Sequence, residues 1–142
     1  MPSTYSPSLK LELIADGEQP GTWGQTTNTN LGTLLEQAIT GVQSIVMTNA
    51  DYTLTDLNGL SDEARNAVLV VTGTNAASRK IVAPLVNKQY IVINNTTGGY
   101  PITIGATTGV VVTIGNGVTQ SVYCNGSSGF YALLPSINGG TF

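Results

Sequence analysis

Eight carboxylates, one thiol and no histidine are the groups with which this chain could do acid–base or nucleophilic chemistry. Glycoside cleavage needs a pair of carboxyl groups facing each other across the scissile bond. Two spacings could supply one: the adjacent Asp62–Glu63, and Asp51 with Asp56. Both also have a plain structural use. Asp62 and Glu63 open a helical turn in Ser61–Ala67, and Asp51 and Asp56 flank a hairpin-like segment. The absence of histidine removes the usual general base and the usual triads. Cys124 has no second thiol or imidazole to share a metal with, and reads as a small core or interface hydrophobe, with a reactive thiol as the alternative. No D-x-D-x-D-G loop is present for calcium, and Gly115-Asn116-Gly117 reads as a hairpin turn, not a phosphate cradle. No catalytic, cofactor-binding or metal-ligating residue is assigned.

Charge excludes further classes. Only 9% of the residues are charged and the net charge is −3, where a typical domain carries about 25% charged residues. No Lys/Arg run extends beyond Arg79–Lys80, so there is no stripe to follow a phosphate backbone and nucleic acid is not an expected partner. No stretch is apolar enough to insert in a membrane, and the N-terminus lacks a signal peptide's basic start and apolar run. The Asn-x-Ser/Thr triplets at Asn94, Asn95 and Asn125 are therefore read as turn chemistry.

The elements around these groups alternate between two periods. Residues 1–8, with Pro2 and Pro7, read as an extended arm, and Leu9–Ile14 as a strand with Leu9, Leu11 and Leu13 on one face. A long loop from Ala15 to Asn30 holds the only tryptophan, Trp23, between Gly21 and Gly24. Leu31, Leu34, Leu35, Ala38 and Ile39 then fall on one stripe of a short α-helix, with Asn30 as N-cap, Thr33 to Glu36 as an alternative capping box, and Gly41 at C′. A helix of that length does not persist alone, so its stripe must be buried in its own domain or against other subunits. From Val42 onward, short runs rich in Val, Ile, Thr and Tyr alternate with Gly/Asn/Thr turns. The spacing predicts a mainly β domain, an antiparallel β-sandwich or jelly roll. Residues 1–41 form an assembly segment, 42–135 the β domain and 136–142 a short tail.

The strands are not cleanly two-faced. "YIVI" and "GVVVTI" are apolar at successive positions, so their outer face must also meet something apolar, and subunit packing supplies it. Tyr52, Tyr90, Tyr100, Tyr123, Phe130 and Tyr131 could build a sugar-stacking platform, but strand tyrosines more often serve core or interface. Tyr100, in Gly98-Gly99-Tyr100-Pro101, is the one expected to be an exposed contact.

Gly17-Glu18, Gly21-Thr22-Trp23-Gly24 and Thr27 to Leu31, following "LELI" at Leu11 to Ile14, carry a resemblance. The chain resembles tailed-bacteriophage virion structural proteins, labelled tail fibre or minor tail proteins, with an N-terminal G-T-W-G-x-x-T-N-x-N-L motif. "LSDEARNAVLVVTG" through "PITI" and "VVVTIGNGVTQSVYC" resemble the β domain that follows in them. The resemblance implies a non-enzymatic structural protein, made in the host cytoplasm and located in the virion, on the tail more than the head. It implies a homotrimer bound to other phage virion proteins of the tail or baseplate, with Trp23, Leu31, Leu34, Leu35 and Ile39 as interface residues. The longer relatives carry distal host-binding modules; stopping at Phe142 favours a connector or short fibre. Capsid decoration, as a head fibre or cement protein, and a carbohydrate-binding module contacting host surface glycan stay open, as does an enzyme acting on a surface polymer through Asp62 and Glu63.

Overall fold

The computed structural model describes residues 2–133; the expected tail at 136–142 lies outside them. The mainly β, sandwich-like domain is present. Its strands are β3 (Val42–Met47), β4 (Tyr52–Thr53), β5 (Val68–Gly73), β6 (Arg79–Val82), β7 (Asn87–Asn94), β8 (Ile102–Gly105), β9 (Val112–Ile114), β10 (Thr119–Asn125) and β11 (Phe130–Leu133). They form a five-stranded sheet in the order β11-β10-β7-β5-β3 and a four-stranded sheet in the order β4-β6-β8-β9. The inward residues of both, among them Ile45, Val71, Tyr90, Val92, Ile81, Ile104 and Phe130, make one buried apolar cluster.

The pairing corrects the expectation of a wholly antiparallel sandwich. β3, β5 and β7 run parallel in one sheet, and β4, β6 and β8 run parallel in the other. Only β8–β9, β7–β10 and β10–β11 are antiparallel within the two sheets. The cause lies in the turns. Most of the Gly/Asn/Thr clusters join strands of opposite sheets, so the chain winds between the sheets like a short solenoid and closes with antiparallel strands. The successive winds are in register: Thr74 and Thr97, 23 residues apart, share a hydroxyl hydrogen bond of 2.7 Å at equivalent corners. Val68 pairs with Ile91 and Arg79 with Ile102 at the same spacing. Gly115–Gly117 likewise links β9 to β10 across the sheets and is not a hairpin turn. Nor is the segment between Asp51 and Asp56 hairpin-like, since its strand β4 pairs in parallel with β6.

Polar side chains hold these corners. Buried Asn94 donates to the carbonyl of Ile114 at 3.1 Å and accepts from the Thr96 hydroxyl at 2.7 Å. Gly73, at φ 98, stands where a Cβ would lie 2.0 Å from the Met47 carbonyl, so only glycine lets β5 leave its sheet beside β3.

The first 41 residues differ from expectation. The strand shrinks to β2 (Glu12–Leu13), paired antiparallel with β1 (Thr4–Tyr5). Lys10 interrupts it with φ 53, because Lys10 N–H donates to Ser6 and its own carbonyl accepts from Gly59. The helix starts at Trp23, not after Asn30: α1 (Trp23–Thr29) continues through a π-wound stretch (Asn30–Leu35) into α2 (Glu36–Thr40). Asn30 is therefore not an N-cap. Its side-chain amide accepts from Glu12 N–H at 3.1 Å and donates to the Glu12 carbonyl at 2.8 Å, tying helix to strand. Gly41 is not left-handed either, with φ −66 and ψ 136. It is required because a Cβ there would come within 2.3 Å of the Gln37 carbonyl and 2.4 Å of Asn66 Oδ1. Among the described residues no helix is long and apolar enough to cross a membrane.

Candidate functional site

The carboxylates that could have formed a catalytic pair are engaged elsewhere, Asp51, Asp62 and Glu63 on backbone N–H groups and Asp56 on a lysine. Asp62, buried, accepts from Arg65 N–H at 2.8 Å and Leu57 N–H at 2.7 Å. It thus caps the turn it opens, while the Ser61 hydroxyl donates to Gln37. Glu63 accepts from the Tyr52 hydroxyl at 2.6 Å and from Thr55 N–H at 3.0 Å, and the first of these bonds raises the Tyr52 pKa above its usual value. Asp51 accepts from Lys80 N–H at 2.9 Å, and Asp56 pairs with Lys10 at 2.5 Å. Asp56 and Asp62 line one cavity of about 10 Å³, room for a single water and not for a sugar ring. Among the described residues no three of His, Cys, Asp and Glu gather so as to hold a metal ion. Cys124 is buried in the core cluster.

The same region is the joint between the N-terminal segment and the β domain. The buried Arg65 guanidinium lies 3.2 Å from Asp62. It donates to the carbonyls of Leu9 at 2.7 and 3.0 Å, Leu57 at 3.1 Å, and Leu60. One side chain so fastens the arm to the loop before β5. Lys88 approaches from the sheet, its Nζ 4.3 Å from the centre of the Tyr90 ring and 3.2 Å from the Asn66 carbonyl. Burial lowers its pKa to about 8 against the opposing pull of Asp62.

The five expected interface residues do not act as one stripe. Trp23, Leu31 and Ile39 are exposed, at 61%, 58% and 68%, whereas Leu34 is fully buried and Leu35 half-buried. The π-wound stretch is the cause: bonding i to i+5 turns each residue less far round the axis and divides a pattern written for period 3.6. Leu31 also lines a groove of about 390 Å³ with Leu11, Leu13 and Ile14.

A larger apolar surface went unnamed residue by residue. The outer face of the five-stranded sheet carries Val42 and Val46 of β3, Val68 and Val70 of β5, Ile91 and Ile93 of β7, and Tyr123, Tyr131 and Leu133. Register places Val42 beside Val68, Val68 beside Ile91, and Tyr123 beside Tyr131, whose rings stack at 5.5 Å. No Asp, Glu, Lys or Arg stands at the outward positions of these strands. The signal was in the sequence, in runs apolar at both parities, but which parity faced outward needed the topology.

Tyr100 is exposed at 41%, as expected of a contact residue. The other aromatics do not gather round it. Tyr90 and Phe130 are buried in the core, and Tyr123 sits opposite Gln89 near the start of β7, whereas Tyr100 follows that strand's end. Searches with the chain match no protein-family model, no curated protein and no solved structure.

Proposed function

We propose that this chain is a non-enzymatic structural protein of a tailed-phage particle. It assembles as a homotrimer and joins other virion proteins on the tail side, as a short fibre or connector. One observation carries the assembly role: a chain with few charges leaves Trp23, Leu31, Ile39 and an uncharged five-stranded face open to water. Such surface gains free energy when buried, at about 25 cal/mol per Å². The Gly21-Thr22-Trp23-Gly24 and Thr27-to-Leu31 motifs support the phage assignment. The carboxylates bound to backbone N–H groups support a non-catalytic role.

The test is localisation on particles made from the phage genome that encodes the chain. Antibody against it, seen by electron microscopy with mass spectrometry of the purified particles, is expected to label the tail. Labelling of the head makes it a capsid decoration protein instead, and absence from purified particles overturns the proposal.

A further inference from the structure

The two outer faces of the sandwich have opposite chemistry. Outward positions of the four-stranded sheet hold Thr53, Lys80, Val82, Thr103 and Thr113, a surface that water solvates. The five-stranded sheet holds Val, Ile, Leu and Tyr at just over half of its outward positions, and the others, Ser44, Thr72, Asn87, Gln89, Thr119, Ser121 and Asn125, are polar but uncharged. β-Branched residues in register, as Val42–Val68–Ile91 are, make a flat apolar row across three strands. At its foot a groove of about 220 Å³ opens between Ile39 of the helix and Ile91 of the sheet.

We infer that this face is the self-association surface of the chain, covered by the same face of further copies. Two observations fit a second copy as the occupant. The first is charge. Close to a symmetry axis a side chain meets its own copies, so a charge placed there is set against its like, at a cost of several kcal/mol. A face without Asp, Glu, Lys or Arg escapes that repulsion, while the Lys80-bearing face does not. The second is size. Five strands about 4.8 Å apart and six residues long at about 3.3 Å each make a face roughly 20 Å on a side. That is about 400 Å² in projection, half of the roughly 800 Å² per partner of a stable interface, and the groove beside Ile39 extends it. Around a threefold axis each copy presents this face to the other two and Ile39 falls at its margin, so one surface uses both the sheet and the helix end.

The inference rests on the homotrimer proposed above, and sedimentation tests it separately from location. In analytical ultracentrifugation the wild-type chain is expected at three times its 14.7 kDa mass. Val42→Lys with Ile91→Lys places charge on the row and is expected to weaken association about 100-fold or more, leaving a monomer with wild-type circular dichroism. Thr103→Lys with Thr113→Lys, on the other face, is expected to leave the trimer intact. A Val42/Ile91 variant that still sediments as wild type overturns the inference, and so does the variant failing to fold while Val46→Lys, at an edge-strand position 59% exposed, folds and still associates. A wild-type chain that is monomeric, or that associates only with another virion protein, overturns it too, because the occupant is then a different segment or partner. Absence from particles sinks the virion role and leaves the sedimentation result standing.

Discussion

The β domain and the N-terminal segment solve the same problem in different ways. The domain buries its apolar side chains against one another in a single cluster fed by both sheets. In described residues 2–41 the one fully buried apolar side chain is Leu34, and it stands outside that cluster. The segment is held instead by hydrogen bonds: Asn30 to the Glu12 backbone, Arg65 to the Leu9 carbonyl, and Gly41 O to the N–H groups of Ala67 and Val68. Hydrogen bonds contribute only about 1 kcal/mol each, net of the water they displace. A segment held this way, with Trp23, Leu31 and Ile39 outward, is stable as an annex and gains most by burial elsewhere.

The strongest way to break this contrast is to remove support from the domain alone. Phe130→Ala deletes a fully buried ring that stacks near Tyr90, and is expected to cost about 3–5 kcal/mol. Urea denaturation is expected to show one transition, with helix and sheet signals lost together, since the segment has no core on which to persist. A helix that survives the sheet would show that the segment is self-sufficient.

Arg65→Ala attacks the joint instead. It leaves Asp62 without its cation and three backbone carbonyls without a donor, at about 3 kcal/mol, the low end for a broken buried pair. The cost is at the low end because Asp62 keeps the N–H groups of Leu57 and Arg65. Hydrogen exchange is expected to quicken through residues 9–40 while β5 and β7 stay protected. Uniform loss of protection would mean that Arg65 belongs to the domain's own stability.

How much of this was legible in the sequence follows the same division. The strand runs from Val42 to Leu133 were readable because burial on one face imposes period 2. Their pairing was not, because a Gly/Asn turn has the same composition whether it folds a hairpin or carries the chain to the opposite sheet. The 23-residue repeat is masked by substitutions such as Val71 against Asn94, where one wind buries a methyl group and the next a hydrogen-bonded amide. In the segment, Trp23 and the Asn30 amide were visible as unusual residues. Their roles depended on the helix starting at Trp23 and winding as a π-helix beyond it, which no 3.6 period reports. Arg65 was missed since a lone arginine carries no spacing signal; only the carbonyls converging on it give it a role.

Lys88 offers a finer measure of the joint. Its folded pKa of about 8 lies below the usual 10.5, so the unfolded chain binds more protons between those values. Stability is then expected to carry the full penalty of burying the charge below about pH 8 and to rise as pH climbs from there. The rise is clearest up to about pH 10, because Tyr52 and Tyr90 have raised pKa values and oppose it once tyrosines ionise in the unfolded chain. Lys88→Met is expected to flatten urea midpoints measured from pH 8 to 10. An unchanged slope would place its origin elsewhere.

The smallest expected effect is the most telling for the segment. Trp23→Ala removes the largest apolar side chain from a position 61% exposed and outside the buried core cluster. An exposed substitution of this kind is expected to shift chain stability by less than about 0.5 kcal/mol. If the tryptophan is an anchor for a neighbouring virion protein, the same change lowers incorporation of the chain into particles while leaving its own sedimentation unaltered. That pairing separates the two apolar surfaces of the proposal, the sheet face for contact between copies and Trp23 for contact with a neighbour. Loss of the oligomer in Trp23→Ala would merge them into one interface, and normal incorporation would leave the exposed indole without a partner.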